Sequence, residues 1–262
     1  MNDTLIIITG TCMSFFATAL GACIIFFIKN NISQRLTSII NGFSAGIMFA
    51  ASIWGLIIPS FSYAEYLNKL NFLPSILGTI LGCLFLILID IVVKKINKDN
   101  TFLQIKKQNY YNLKKFISAF TIHNIPEGMA IGFAFGNAIQ CDSKTALFSA
   151  LGIAIAISIQ NIPEGLAVAL PVYKDTNNKL KSFIYGSLTG IVEPIFAVVG
   201  ILLSNLVGIV LPWLLTFSAG TMIFVAIDDL VPNSKLEESP HCGSWSFVFG
   251  FLVMMLLDVL LN

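Results

Sequence analysis

The stretch 122–128 reads IHNIPEG and the stretch 159–165 reads IQNIPEG, so one seven-residue pattern occurs twice with a single change. Both copies lie inside long apolar runs, where proline and glutamate are unexpected. An ionisable side chain at membrane depth is energetically expensive and indicates a functional site. The two copies therefore suggest a pair of membrane helices that carry the chemistry of the protein.

The composition around this pair is that of a membrane protein. Hydrophobic residues make up 56% of the 262 residues and charged residues 11%, whereas soluble proteins carry about 25% charged residues. A membrane-spanning helix needs roughly 20 apolar residues. The sequence predicts an all-α polytopic membrane protein, a single transmembrane domain over 1–262 with eight spans near 4–28, 36–59, 72–95, 115–139, 144–170, 181–206, 209–231 and 242–261.

Charge predicts the orientation of the chain and excludes one class of partner. If the N-terminus lies outside, 13 of the 15 Lys and Arg residues fall on the inside, most of them in or beside the loop 95–114. The positive-inside rule then predicts that both termini lie outside and that this loop is cytoplasmic. The net charge of +1 gives no basis for binding nucleic acid, so the lipid bilayer is the expected environment.

A second, longer repeat links the two ends of the chain. Residues 42–60 read GFSAGIMFAASIWGLIIPS and residues 216–234 read TFSAGTMIFVAIDDLVPNS, with eight of 19 positions identical. These are the second and seventh spans, which run in opposite directions, so spans 1–3 and 6–8 are predicted to form an inverted repeat around spans 4–5. Inverted repeats are typical of transporters. Small residues also recur because they suit helix packing, but that leaves the IHNIPEG repeat unexplained.

The polar residues of the pattern have helical spacing. His123 and Glu127 are four residues apart and share one helix face, and Gln160 and Glu164 repeat that arrangement. Two antiparallel helices with these faces opposed would bring all four together. Imidazole and carboxylate ligands suit zinc, and also iron(II), manganese and cadmium. A lone intramembrane histidine is often only a hydrogen-bond partner between helices, but the repeated pattern favours a metal site.

A second set of candidate ligands lies to one side of the first. It consists of Asn124, Asn161 and Glu193, with Glu127 and Glu164 shared between the sets. Glu193 precedes Pro194 in the sixth span, and its alternative role is to support the ligands or to carry a proton.

Three further acidic residues are candidates outside this cluster. Asp228 and Asp229 lie near the predicted inner end of the seventh span, where they would either receive metal leaving the centre or cap a helix end in water. Glu65 lies near the predicted outer end of the second span and is a candidate for attracting cations at an entrance.

At these residues the chain resembles the ZIP family of metal-ion transporters. The resemblance rests on HNIPEG, QNIPEG and the Glu-Pro pair at 193–194, and the FSAG-containing second span looks like the GufA-type branch. It implies an eight-helix bundle with a binuclear centre, import toward the cytoplasm, and a homodimer. It also implies the two ligand sets given above. The small size of the chain separately suggests a bacterial cytoplasmic membrane.

The sequence therefore predicts a transporter for divalent transition metals, zinc first, with the metal as cargo and no resident cofactor. A membrane-embedded metal hydrolase is the main competitor, because His123 and Glu127 could hold a metal and activate water. Against it, the chain has no HExxH motif, and only one histidine lies within a predicted span. A receptor or structural role would leave the buried carboxylates unexplained. Transport is therefore the expected function, and no enzymatic activity is expected.

Overall fold

The computed structural model describes residues 3–28, 33–96, 104–204, 207–234 and 241–261, which are almost entirely helical and contain no strand. The α-helices are α1 (Asp3–Cys23), α2 (Gln34–Ala50), α3 (Ile58–Tyr63), α4 (Leu73–Ile96), α5 (Gln104–Gln140), α6 (Lys144–Thr176), α7 (Lys179–Thr189), α8 (Val192–Leu202), α9 (Val207–Val225), α10 (Val231–Ser234) and α11 (Cys242–Leu261).

Seven helical segments within the described ranges are long and apolar enough to cross a membrane. They are Asp3–Phe26, Gln34–Tyr63, Leu73–Val92, Lys144–Thr176, Lys179–Leu202, Ile209–Ser234 and Cys242–Leu260. The remaining predicted span, 115–139, lies within α5, a helix of 37 residues. This helix begins at Gln104, inside the segment 95–114 that the sequence predicts as a loop.

The sixth predicted span, 181–206, is interrupted between the end of α7 and the start of α8. A proline has no N–H to donate, and its ring clashes with the carbonyl four residues earlier. For Pro194 that carbonyl belongs to Gly190, which closes α7. The amide of Glu193 bonds to the Gly190 carbonyl instead of to Thr189, so the Thr189 carbonyl is released from the regular helical pattern.

The two helices that carry the FSAG runs change their winding at matching positions. A π-helical segment follows α2 at Ala51–Ile57, and another follows α9 at Ala226–Leu230. Short π-helical segments are rare in proteins and are frequent at functional sites. The likeness between 42–60 and 216–234 thus extends from the sequence to the backbone.

The helices pack as two groups. In the site bundle, α1 lies along α6 and α5 lies along α8, with α7 against α1 and α6. In the supporting bundle, α2 lies along α11 and α4 lies along α9. The two bundles meet chiefly where α5 contacts α9 and where α2 contacts α6. The predicted half formed by spans 1–3 is therefore divided, with α1 in the site bundle and α2 to α4 in the supporting bundle.

Glycine permits the close packing inside each bundle. A Cβ at Gly165 would overlap the carbonyl of Thr18, so α1 and α6 touch backbone to backbone. The small-residue row 128, 132 and 136 on α5 serves the same purpose against α8, where a Cβ on Gly128 would overlap Glu193. In the supporting bundle, Gly46 faces Phe247 of α11 in this way. Small residues at such contacts let membrane helices approach closely.

Candidate metal centre

The polar faces of α5 and α6 meet at two points in one antiparallel register. Nε2 of His123 lies 2.6 Å from Oε1 of Glu164. Nε2 of Gln160 donates to Oε1 of Glu127 at 2.8 Å. The two helices pass through Pro126 and Pro163 without interruption. The structure thus brings together the four residues of the first predicted ligand set.

The second predicted set is only partly assembled. Nδ2 of Asn161 donates to Oε2 of Glu193 at 2.8 Å. Nδ2 of Asn124 instead donates to the Thr189 carbonyl at 3.1 Å. That carbonyl is available because Pro194 breaks the helix before Glu193, so the break supplies the partner of Asn124. Asn124 is therefore held by backbone rather than by a carboxylate.

These seven polar residues are deeply buried. None exposes more than 6% of its surface, and both His123 and Glu193 are at 0%. Burying an ionised carboxylate is expensive unless an opposite charge or hydrogen bonds offset the loss of water. The centre concentrates three glutamates, and the only basic side chain paired with them among the described residues is His123. A divalent cation would offset this excess of acidic groups.

Four buried oxygen atoms of the centre have no hydrogen-bond partner within the described part of the chain. They belong to both bridging carboxylates and both asparagine amides: Oε2 of Glu127, Oε2 of Glu164, Oδ1 of Asn124 and Oδ1 of Asn161. Leaving a buried acceptor unpaired costs about 1–3 kcal/mol, and more when it is charged. Oxygen atoms left in this condition are the donors that a bound metal ion would satisfy.

A cation held here would draw on the amides as well as the carboxylates. In the described ranges, no three side chains of His, Cys, Asp or Glu come close enough together to hold a metal by themselves. Each glutamate is paired with imidazole or amide: Glu164 with His123, Glu127 with Gln160, and Glu193 with Asn161. A metal would displace the hydrogen between His123 and Glu164 and bind the imidazole nitrogen and the carboxylate oxygens, whereas Gln160 and Asn161 would bind it through their amide oxygens.

Three hydroxyl residues surround the centre, and none of them was among the candidates predicted from the sequence. Oγ1 of Thr18 on α1 donates to Oε1 of Glu193 at 3.4 Å. Ser44 donates to the Pro163 carbonyl and Ser218 to the His123 carbonyl, each at 3.3 Å. Ser44 and Ser218 are the serines of the two FSAG runs, so the repeat could have indicated them. Nothing in the sequence distinguishes Thr18.

The remaining acidic candidates lie away from this cluster. Asp228 is exposed and Asp229 half-buried, both in the π-helical segment Ala226–Leu230. Asp228 lies ten residues beyond Ser218 and Asp229 eleven, which is about 15 Å along a helix. Glu65 is exposed at the start of a short 3-10 helix, Glu65–Leu70. All three therefore stay candidates outside the cluster of seven buried residues.

Comparisons with known proteins identify the family to which the chain is similar. The family model described as "ZIP Zinc transporter" matches residues 104–258. "Zinc transporter ZIP11" of Xenopus tropicalis is 31% identical, with 95% of each chain covered. The human protein of that name is 29% identical over the same share of both chains. "Zinc transporter ZupT" of Clostridium perfringens is 30% identical and covers 97% of this chain and 95% of its own length.

Proposed function

Because the chain belongs to the ZIP zinc transporter family, we propose that it carries zinc across the membrane in which it is embedded, through the centre on α5, α6 and α8. Its relatives are transporters rather than enzymes, so the hydrolase alternative is removed. The chain is an integral membrane protein with several apolar membrane-spanning helices.

One observation carries the proposal: the unpartnered oxygens of Glu127, Glu164, Asn124 and Asn161 within a fully buried cluster. A structural role would favour carboxylates whose oxygens are all satisfied, because an incomplete buried network is costly. Oxygen atoms without a hydrogen-bond partner suit a site that binds and releases a metal ion in each transport cycle.

The proposed centre has two parts. His123, Glu127, Gln160 and Glu164 form the first, which offers a nitrogen donor and is therefore the preferred zinc position. Asn124, Asn161 and Glu193 form the second together with the two bridging glutamates. Its donors are oxygen atoms alone, which favour harder cations than the first part does. Iron(II), manganese and cadmium fit the same mixed donor set and are further candidate cargoes.

The proposed topology has eight spans, with both termini outside and zinc moving toward the cytoplasm. The packing supports an inverted repeat of spans 1–3 and 6–8, because α1 on α6 is matched by α8 on α5, and α2 on α11 by α9 on α4. The ZupT relatives, including that of Clostridium perfringens, support a bacterial cytoplasmic membrane. We expect a homodimer on the family resemblance alone.

The division into two bundles suggests how the centre becomes accessible from each side of the membrane. All seven candidate ligands lie on α5, α6 and α8, so they belong to the site bundle and stay together when it moves. The supporting bundle reaches them through hydroxyl contacts such as Ser44 to Pro163. We propose that transport displaces the site bundle relative to the supporting bundle, and that the glycine contacts within each bundle persist.

Zinc flux into sealed proteoliposomes of purified protein tests the function. The native protein is expected to take up zinc, and the double variant His123→Ala, Glu127→Ala is expected to give no uptake while eluting and melting as a folded protein. Uptake that persists in the double variant would place the pathway elsewhere. Absence of uptake in both, with zinc still bound by the native protein, would contradict transport of this metal.

A further inference from the structure

A cavity leads from the surface of the bundle toward the centre. Its volume is about 270 Å³, and its wall is formed by α5, α6, α9, α11 and the region from Ala51 to Tyr63. Asn137 and Tyr63 lie at its exposed end, where Tyr63 keeps 39% of its surface accessible. The buried Gln160, a candidate ligand of the first set, lies in the same wall. In the proposed topology the cavity opens on the outer side.

Asp258 of α11 is the one charged residue among the described residues that line this cavity. It is only 3% exposed, and its Oδ2 has no hydrogen-bond partner in the described ranges. The residue opposite is Gly55, and a Cβ placed there would lie 3.7 Å from Oδ1 and 4.0 Å from Oδ2. The missing side chain at Gly55 therefore leaves room beside both oxygens of the carboxylate.

The rest of the wall is apolar, apart from neutral oxygen donors. Residues such as Leu56, Phe133 and Met254 surround the carboxylate, while Tyr63, Asn137 and Gln160 supply the polar atoms. A carboxylate in such surroundings needs either a proton or a cation to offset its charge. Since a water molecule occupies about 30 Å³ in the liquid, the cavity has room for a cation that retains several of its waters.

We propose that Asp258 is a docking residue at which a partly hydrated divalent transition-metal ion is held between the mouth of the cavity and Gln160. This inference rests on the proposed function, since it supplies a position on the route to the same centre. One carboxylate with neutral oxygen and water ligands makes a weak site, which suits an ion that must move on. The sequence gave Glu65 rather than Asp258 as the candidate at an entrance, because Asp258 lies at no repeated position.

Zinc uptake kinetics of Asp258→Asn test the proposal. The substitution keeps the shape and removes the charge, so the KM for zinc is expected to rise about tenfold with a maximal rate within twofold of native. Asp258→Glu is expected to retain a near-native KM. The matched control is Asp142→Asn, which makes the same change at an exposed position outside the cavity and is expected to leave KM unchanged.

A KM for Asp258→Asn equal to that of the native protein would overturn the proposal, and so would a lost maximal rate at unchanged KM. If Asp258→Asn does not fold, Gly55→Val replaces it, because this variant keeps the carboxylate and fills the space beside it. A native KM in Gly55→Val, or a lost maximal rate at unchanged KM, would likewise overturn the proposal.

Cadmium titration in detergent separates this proposal from the transport function. The native protein is expected to show a weak site that Asp258→Asn lacks and Glu127→Ala retains. If the native protein carries no zinc, the proposed function fails, and the titration alone decides whether Asp258 binds a cation. If zinc is carried but the weak site is identical in Asp258→Asn and native protein, the docking residue is wrong and the centre is untouched.

Discussion

Oε1 of Glu164 lies 2.6 Å from Nε2 of His123, while Oε2 of the same carboxylate has no hydrogen-bond partner within the described residues. One oxygen thus shares a hydrogen with the imidazole and the other is unused. A zinc ion that displaced this hydrogen would gain a nitrogen ligand and a carboxylate at once. The contact between α5 and α6 is thus a hydrogen bond that zinc would replace in the proposed function.

Glu164→Gln is expected to lower zinc affinity and uptake at least tenfold, because the amide keeps a hydrogen bond to His123 but removes the negative charge that binds the cation. Isothermal titration with zinc and initial rates of uptake measure the two quantities. Glu65→Gln makes the same substitution at an exposed glutamate away from the centre and is expected to behave as native. Equal losses in both variants would show that the effect is not specific to the site.

Zinc uptake is expected to fall as the external pH is lowered from about 7.5 to 5.5, because protons and zinc compete for the same nitrogen and carboxylate atoms. Initial rates at fixed internal pH, measured at several zinc concentrations, should show the change in KM rather than in maximal rate. Rates that stay constant between pH 5 and 8 would contradict binding through His123 and the glutamates.

Gly165→Ala is expected to destabilise the protein by about 1–3 kcal/mol, the usual range for overpacking a tight core. The added methyl would overlap the Thr18 carbonyl and force α1 away from α6. Thermal melting in detergent measures the loss. Gly55→Ala is the matched control, since its Cβ would lie 3.7 Å from Oδ1 of Asp258, an ordinary contact distance. Equal melting temperatures for the two variants would refute the close helix contact.

The double variant Ser44→Ala, Ser218→Ala is expected to raise the maximal rate of zinc uptake, with little change in zinc affinity. The two hydroxyls join the supporting bundle to carbonyls of the site bundle. Such bonds contribute about 0.6 kcal/mol each in a membrane, so losing both lowers the barrier by about 1 kcal/mol, roughly fivefold in rate.

The matched control for this pair is Ser52→Ala, whose hydroxyl bonds to Met48 of its own helix at 2.7 Å. It should leave the rate unchanged. An unchanged rate in the double variant would mean that the bundles do not separate at these contacts during transport.

Much of the architecture could be predicted because apolar length determines a membrane helix and residue spacing determines its polar face. The opposition of His123 to Glu164 and of Glu127 to Gln160 follows from four-residue spacing and antiparallel direction alone. The family predicted from the repeated motif is also confirmed by the family model and the relatives.

What could not be predicted depends on contacts between distant segments. The division into two bundles follows from glycine contacts whose partners lie far apart in the chain, such as Gly165 and Thr18. The bond from Asn124 to Thr189 requires the helix break at Gly190. The sequence contains Pro194, but a proline within an apolar span does not by itself indicate whether the helix bends or ends.

The packing of α1 against α6 also has a consequence for biosynthesis. The ribosome delivers α1 long before α6, so α1 must wait in lipid without its partner. Two of its hydroxyls are suited to this delay. Thr11 donates to the Ile7 carbonyl at 2.9 Å, and before Glu193 is in place Thr18 can donate to the Ser14 carbonyl, which lies 3.1 Å away within α1 itself. These two hydroxyls are thus satisfied in a newly inserted α1, and assembly of the centre becomes a late event that follows the arrival of α6 and α8.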